Sequence, residues 1–270
     1  MLKMNISSNL IPVHNPPSSG KAMQCRFDLV RIIVEVNNPG EIAKVVPAPL
    51  SYKTNEVIIC LNKVREYQGP LAEAAAGLDW HEIMLQIPVD YKGRYLVYNC
   101  EGFINNPYML LVNREIFGYP KILTEIDIDK KDNDLQGRAY HYKSNKEICS
   151  ISFKAERKGT KDDVGQKGKI LNLKNIPSPV VGKAPEVQEM VMINYKKLQV
   201  NDLYVGRGEI ELHAYAPPYL ISAGIMKIKK ALLLDLELEI EGGQVVFNYQ
   251  NIFSKIKKSI KRLFKTGSNS

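Results

Sequence analysis

The chain has 270 residues, 44% of them hydrophobic and 24% charged, which is typical of a globular protein with one large domain or two small ones. Its net charge of +8 does not indicate a nucleic-acid-binding fold, because the six basic residues after Tyr249 leave the rest of the chain nearly neutral. The sequence lacks an apolar signal core and any run of 18 apolar residues, so we expect a cytoplasmic protein.

The predicted elements in chain order are mostly β-strands. Residues 1–21 are polar and contain three prolines, which predicts an extended N-terminal arm. Short runs rich in β-branched and aromatic residues then alternate with turn residues, as in a β-sheet. The expected strands are Leu29–Val36, Glu56–Asn62, Trp80–Val89, Arg94–Asn99, Tyr108–Val112, Leu123–Ile128, Arg138–Tyr142 and Ile148–Ala155.

Helical signals are few and the last third of the chain is again strand-like. Short helices are predicted at Pro39–Val46, Pro70–Gly77 and Tyr219–Leu232, and a solvated loop at Lys158–Lys169. Leucines alternating with acids around Gly242-Gly243 predict a two-residue hairpin over Leu232–Tyr249. The pattern predicts one α+β domain, mainly antiparallel β, over residues 22–250, with its strands closed into a barrel or packed as a sandwich.

The basic tail over residues 251–270 has apolar residues at helical spacing between its lysines, which predicts an amphipathic helix. Such a helix can lie on a membrane surface. We favour packing on a neighbouring subunit or on the acidic face at Asp235–Glu241.

Motifs for several common chemistries are missing. The sequence has no P-loop, no Gly-x-Gly-x-x-Gly, no His-Glu-x-x-His and no Gly-x-Ser-x-Gly. The four cysteines have no metal-type spacing and lie in or beside apolar runs, so we expect buried free thiols; they are Cys25, Cys60, Cys100 and Cys149. The four histidines are scattered, and we therefore predict neither a metal site nor a cofactor.

Lys121 is the one basic residue whose surroundings predict chemistry. It follows Gly118-Tyr119-Pro120 and precedes two apolar residues, whereas most other lysines lie in charged stretches. A lysine held away from water has a lowered pKa, and its neutral amine can attack a carbonyl. A surface lysine after a proline turn is the alternative.

The segment Arg114–Lys121 resembles the active-lysine segment of the acetoacetate decarboxylase family, and further segments resemble that family in the same order. They are Lys44–Leu50, Leu173–Pro177, Gly206–Leu212, Ala216–Pro218 and Gly243–Tyr249. The resemblance covers residues 22–250 and implies an acetoacetate-decarboxylase-like domain built around a β-barrel with a few peripheral helices.

The resemblance also implies roles for individual residues. Lys121 corresponds to the lysine that forms the Schiff base, and Glu82 to an active-site glutamate. The expected substrate-binding residues are Arg26, Tyr119 and Arg114. Arg31 is the alternative to Arg26, because the spacing from Arg26 to Val45 is longer than the family's by about two residues.

The chain departs from the family pattern at three positions. Ile122 stands where typical members have a second lysine, and Asn113 where they have a glycine. A second family glutamate would fall near Leu61 and is missing. Since burial alone shifts a lysine pKa by roughly 3–5 units, we expect Lys121 to be activated by desolvation, to which Ile122 would contribute.

The function implied by the resemblance is decarboxylation of a small β-keto acid, such as acetoacetate, through a Schiff base on Lys121 without a cofactor. A lyase, aldolase-dehydratase or cyclase acting on a 2-oxo acid through the same Schiff base is the first alternative. A non-catalytic ligand-binding protein is the second. We expect a homo-oligomer that binds no nucleic acid.

Overall fold

The computed structural model describes residues 22–69, 72, 77–165 and 168–250. Strands account for most of these residues. The ten strands are β1 Met23–Val36, β2 Glu56–Gln68, β3 His81–Tyr91, β4 Arg94–Ile104, β5 Lys121–Lys131, β6 Asp134–His141, β7 Lys146–Lys158, β8 Lys169–Ile176, β9 Val187–Leu212 and β10 Ile225–Asn248.

The helices among the described residues are short. Three are α-helices: α1 Pro39–Ala43, α2 Pro107–Leu111 and α3 Pro218–Ala223. A π-helix, Val112–Phe117, continues directly from α2, and a 3-10 helix, Lys161–Val164, lies between β7 and β8. None of the helices in the described ranges is long and apolar enough to cross a membrane.

The strands form a single sheet that closes into a ring. Antiparallel pairing runs from β10 through β1, β2 and β3 to β4, and from β5 through β6 and β7 to β9, which pairs back with β10. β4 joins these two halves by parallel pairing. Its residues Leu96–Tyr98 pair with β8 and Gly102–Ile104 with β5, so the sheet forks along β4.

The strands β1 to β3 carry apolar side chains on both faces. One face packs in the main core and the other lines a cavity. One face supplies the main hydrophobic core, with fully buried residues such as Ile32, Leu61 and Ile83. The other face supplies residues such as Leu29, Asn62 and Glu82 to the wall of a cavity. A period of two along each strand therefore sorts its residues between core and cavity.

The predicted fold class is confirmed: the described chain is one domain of mainly antiparallel strands with a few peripheral helices, and its sheet closes in a ring. The four cysteines are free thiols, as expected, and Cys25, Cys60 and Cys149 are buried. The described part of the predicted Lys158–Lys169 loop, residues 159–165 and 168, lies between β7 and β8 and contains the 3-10 helix Lys161–Val164.

The predicted hairpin over Leu232–Tyr249 is wrong. β10 runs through Gly242-Gly243 as one strand of 24 residues, and both of its halves pair with the 26-residue β9. The register shifts between Ile240 and Gly242, and Gly242 has a φ of 153°. The two glycines thus bend a continuous strand instead of reversing it, which is the other common use of glycine in a sheet.

Two further predictions differ from the structure. Tyr108–Val112 is not a strand but helical, since Pro107 occupies the first helical turn and the Asn106 Oδ1 accepts from the backbone N–H groups of Tyr108 and Met109. The predicted helix Tyr219–Leu232 ends at Ala223, where Gly224 takes a φ of 63° and β10 begins.

The helix predicted over Pro39–Val46 is present as α1 but ends at Ala43. The N-terminal arm, most of Pro70–Gly77 and the amphipathic tail lie outside the described residues.

Candidate active site

Lys121 enters the sheet at the fork along β4. It is the first residue of β5 and pairs with Gly102, just beyond the stretch of β4 that pairs with β8. An ideal Cβ on Gly102 would lie 3.3 Å from the Lys121 Cγ and 2.5 Å from the Met84 Sδ. The missing side chain at position 102 therefore makes room for the stem of Lys121 beside β3 and β4.

The turn before Lys121 is fixed by Gly118. It follows the π-helix with a φ of 71°, a left-handed conformation that glycine adopts without strain. A Cβ there would lie 2.6–2.7 Å from the Cα, Cβ and N of Lys174 on β8. Close packing of this turn on β8 therefore sets where β5, and with it Lys121, begins.

The Lys121 ammonium and the Glu82 carboxylate form a buried pair. Lys121 Nζ donates to Glu82 Oε1, and the side chains are 2% and 8% exposed. The carboxylate has two more donors: Trp80 Nε1 lies 2.6 Å from Oε1, and Asn62 Nδ2 lies 3.4 Å from Oε2. Glu82 is thus held on several sides, with its carboxylate against the amine.

Burial and the carboxylate act in opposite directions on the amine. Burial lowers the pKa of Lys121, and the attraction and hydrogen bond of Glu82 raise it. Burial prevails, so the pKa of Lys121 is lowered from its ordinary value. Burial also raises the pKa of the neighbouring Cys25 thiol, which therefore stays protonated and is not a competing nucleophile.

Tyr119 covers the amine with its ring. Lys121 Nζ lies 4.9 Å from the centre of that ring. Burial keeps the pKa of the Tyr119 hydroxyl well above its ordinary value. Tyr119 is therefore a neutral wall of the site.

Hydrogen-bonded side-chain amides connect the cavity wall to the turn before Lys121; Asn99 and Asn172 are buried and Gln86 is half-buried. Gln86 Nε2 donates to Asn99 Oδ1 over 2.9 Å, and Asn99 Nδ2 donates to Asn172 Oδ1 over 2.6 Å. Asn172 Nδ2 then donates to the backbone oxygen of Phe117 over 3.0 Å. These hydrogen bonds connect β4 with β8 and anchor the end of the π-helix.

The pair faces a cavity of about 940 Å³. The residues that line it near Lys121 are Cys25, Asn62, Trp80, Glu82, Met84, Asn113 and Tyr119. Farther along, the walls from β1, β8 and β10 are largely apolar, whereas β9 contributes both apolar and polar residues. A buried amine beside a carboxylate, open to a cavity of this size, can form a covalent adduct with a carbonyl compound.

Two of the predicted arginines do not lie in this cavity. Arg26 is not among the lining residues; it pairs with Asp235 at 3.0 Å and lies 3.9 Å from Glu66. Arg114 is exposed on the π-helix and does not line the cavity either. The predicted roles of Arg26 and Arg114 in substrate binding are therefore not supported by their positions.

Arg31, the alternative to Arg26, does line the cavity. Its Nη1 donates to the backbone oxygen of Val164 over 3.2 Å. The structure thus places Arg31 on the wall of the same cavity as Lys121 and Glu82.

The three departures from the family pattern have different consequences. Ile122 is 49% exposed, because it points to the opposite side of β5 from Lys121; it does not desolvate the amine, contrary to our expectation. Asn113 is buried and donates from Nδ2 to the Met109 backbone oxygen over 2.7 Å, which stabilises the turn between α2 and the π-helix.

Asn62, and not the core residue Leu61, occupies the cavity-facing position on β2 beside Glu82. Its Oδ1 is buried and accepts no hydrogen bond within the described part of the chain. Neither Asn62 nor Trp80 was predicted from the sequence as a site residue. Strand alternation from Glu82 could have found Trp80, which lies two residues away on the same face.

Groups of three or more potential metal ligands are absent from the described residues.

The chain matches the acetoacetate decarboxylase (ADC) family over residues 10–250. Among curated relatives, the decarboxylase DEC1 of Cochliobolus heterostrophus is 27% identical over 216 residues, covering 75% of this chain and 79% of that protein. Acetoacetate decarboxylase of Burkholderia cenocepacia is 23% identical over 221 residues, covering 81% and 85%.

Solved structures show the same fold. Acetoacetate decarboxylase from Legionella pneumophila superposes with a TM-score of 0.75 at 21% identity, over 90% of this chain and 95% of that one. The enduracididine biosynthesis enzyme MppR, bound to the condensation product of pyruvate and imidazole 4-carboxaldehyde, has a TM-score of 0.74 at 11% identity, over 87% and 92%. The family match spans most of the chain, and the protein therefore belongs to the acetoacetate decarboxylase family.

Proposed function

We propose that this protein decarboxylates a β-keto acid through a Schiff base on Lys121. The observation that carries the proposal is the buried Lys121–Glu82 pair at the cavity wall. Relatives named as decarboxylases support the reaction class. The protein is, on this proposal, a carbon–carbon lyase.

The amine must first be neutral. With an ordinary pKa of about 10.4, only roughly 1 lysine in 2,500 is neutral at pH 7. Acetoacetate decarboxylase is itself a standard example of a lysine activated by desolvation or by a neighbouring cation. In this chain the following residue is Ile122, which points away, so burial of Lys121 supplies the activation.

The neutral amine attacks the ketone carbon, and loss of water gives an iminium ion. The bond between the α-carbon and the carboxylate then breaks. Its electron pair forms the enamine double bond, and carbon dioxide leaves. A proton adds to the α-carbon, and water hydrolyses the resulting iminium to the shortened ketone and free Lys121.

Glu82 and Arg31 have separate roles in this scheme. Glu82 is in contact with Nζ and can accept and return the protons that iminium formation and hydrolysis require. Arg31 is the cationic residue that we assign to the substrate carboxylate, in preference to Arg26 and Arg114. Tyr119 confines the substrate against the amine.

A second candidate is condensation or cyclisation of a 2-oxo acid on the same lysine. The observation in its favour is Asn62, which leaves Glu82 as the one carboxylate in contact with Lys121 among the described residues. MppR, a structural neighbour, has been solved with pyruvate. Both candidates share the Schiff base. In decarboxylation the bond from the α-carbon to the carboxylate breaks, whereas in condensation or cyclisation the α-carbon loses a proton.

Carbon dioxide release from acetoacetate and longer 3-oxo acids tests the proposal. We expect turnover by the wild type and none above background for Lys121→Met. Lys169→Met is the matched control, since Lys169 also begins a strand paired with β4 but is exposed. Equal loss in both variants, or wild-type binding of 3-oxo acids without carbon dioxide release, would contradict the proposal. Condensation of pyruvate with an aldehyde would then favour the second candidate.

A further inference from the structure

The cavity is larger than a four-carbon acid requires. Its volume of about 940 Å³ lies near the upper end of the roughly 300–1,000 Å³ that enclose drug-sized ligands. Acetoacetate would leave most of that space to water. Water in an apolar space lacks hydrogen-bond partners, so such a space favours an apolar occupant.

An apolar patch on the cavity wall lies two strands from Glu82. Leu29 on β1 is opposite Leu234 on β10, and Phe27 is opposite Leu236, so the four side chains form one patch on the cavity wall. Leu29 is also opposite Asn62, which is opposite Glu82 on β3. Neighbouring strands lie about 4.8 Å apart, so the patch starts two strands from Glu82.

Phe27 and Leu29 remain partly exposed, although the alternate residues of β1 are fully buried in the main core. Their exposed area faces the cavity. Burying such surface under a ligand chain is favourable, by roughly 25 cal/mol for each Å² removed from water. The cavity therefore has unused apolar surface two strands from Glu82.

Three of the four lysines that line the cavity away from Lys121 are paired with carboxylates; the fourth is Lys161. Lys158 pairs with Asp202 at 3.2 Å, Lys196 with Glu239 at 2.8 Å and Lys197 with Glu237 at 2.7 Å. The part of the wall that these three pairs form is therefore close to neutral, which suits an uncharged substrate chain.

From this wall we infer that the preferred substrate is a β-keto acid whose ketone carries a medium-length unbranched alkyl chain, bound along Phe27, Leu29, Leu234 and Leu236. The inference rests on the proposed function and specifies its substrate class. The reaction converts R–CO–CH₂–COO⁻ and a proton into the methyl ketone R–CO–CH₃ and carbon dioxide.

A chain-length series tests this with the wild-type protein. We would measure kcat/KM for carbon dioxide release from 3-oxo acids of four, six, eight and ten carbons, with the methyl ketone quantified by gas chromatography. Each methylene buried along the patch should raise kcat/KM about four-fold until the space is filled. A flat or falling series would overturn the substrate inference and leave the proposed function intact, provided that acetoacetate is turned over.

Two matched variants test where the alkyl chain of the substrate binds. Leu234→Phe narrows the cavity and should lower kcat/KM for the eight-carbon acid by a factor about ten times larger than for acetoacetate. Val245→Phe, on the same strand but 49% exposed and not lining the cavity, should leave the series unchanged. Equal effects of Leu234→Phe on both acids would contradict the assigned path.

If Leu234→Phe does not fold, the dependence of the wild-type kcat/KM on substrate chain length still tests the substrate inference. If no 3-oxo acid of any length is decarboxylated, the proposed function fails and the substrate inference falls with it.

Discussion

At the scale of single residues, Lys121 is held between two opposing influences. Burial favours its neutral, nucleophilic form, and Glu82 favours the ammonium form. Removing the Glu82 charge should therefore lower the pKa of Lys121 further and leave more neutral amine at a given pH. It should also remove the group that moves protons during the reaction.

We predict that Glu82→Gln shifts the acidic limb of the pH–kcat/KM profile to lower pH and reduces kcat by about 10²-fold or more. The pH profile and kcat would be measured together for this variant and for Glu211→Gln. Glu211 is the matched control because it is an exposed strand glutamate that does not line the cavity. An acidic limb that moves to higher pH in Glu82→Gln would contradict the assigned influence of Glu82.

Trp80 positions Glu82 and does not itself react. Its Nε1 donates to Glu82 Oε1, while its ring packs edge-on against Tyr67, with 5.1 Å between ring centres. Trp80→Phe keeps an aromatic ring and removes one of the two donors to Glu82 Oε1, so that only Lys121 remains; losing this hydrogen bond to a charged group should cost about 1–3 kcal/mol. We expect kcat to fall about ten-fold with little change in KM. An effect confined to KM would show that Trp80 acts on substrate binding instead.

The sequence predicted Lys121 and Glu82 as site residues but not the residues around them. Lys121 and Glu82 follow from the family resemblance, and the structure brings them into contact. Choosing between Arg26 and Arg31 requires knowing which face of β1 lines the cavity. Apolar residues occupy both faces of this strand, so alternation alone cannot decide it.

At the scale of elements, the position of Lys121 depends on the turn between the π-helix and β5. Gly118 is needed there both for its positive φ and for its contact with Lys174. We predict that Gly118→Ala destabilises the protein by more than about 2 kcal/mol, since the added Cβ adds a clash to the cost of the left-handed conformation.

Gly93→Ala is the matched control, because Gly93 has a φ of 75° and nothing within 4 Å of its ideal Cβ. Gly93→Ala should lower the free energy of unfolding by only about 1 kcal/mol. Urea denaturation of both variants would measure the difference. Equal costs would show that packing on Lys174 does not constrain the turn.

The misassigned hairpin shows what local sequence leaves open. Gly242-Gly243 between alternating runs is compatible with a reversal and with a bend. The choice depends on β9, a 26-residue strand that pairs with both halves of β10. That long-range pairing is not visible in the sequence around the glycines.

At the scale of the whole molecule, the fold class and the single domain could be predicted, because short strand patterns and the family resemblance agree. The cavity could not, since its volume is set by how β8 and β10 close the ring around it. The homo-oligomer and the cytoplasmic location stay predictions.

The two charges of the buried pair compensate each other. Removing one partner leaves the other charge buried, so we predict that Lys121→Met lowers the free energy of unfolding by about 3–5 kcal/mol. The double variant Lys121→Met/Glu82→Gln leaves neither charge buried and should therefore be more stable than Lys121→Met alone. Free energies of unfolding from urea titrations at pH 7 would test both. Equal destabilisation of the single and double variants would contradict this.

The same pair predicts a pH dependence. Because the pKa of Lys121 is lower in the folded than in the unfolded state, the unfolded state binds more protons in the interval between the two values. Stability should therefore rise with pH across that interval. The difference in unfolding free energy between wild type and double variant isolates this contribution, and a difference that is constant with pH would contradict it.

The central claim, that Lys121 is the nucleophile, is tested most directly by trapping the Schiff base. The protein would be incubated with a 3-oxo acid and sodium borohydride, digested and mapped by mass spectrometry. We predict one reduced adduct, on Lys121, and none on that position in Lys121→Met. An adduct confined to other lysines, or no adduct with any keto acid, would contradict the claim.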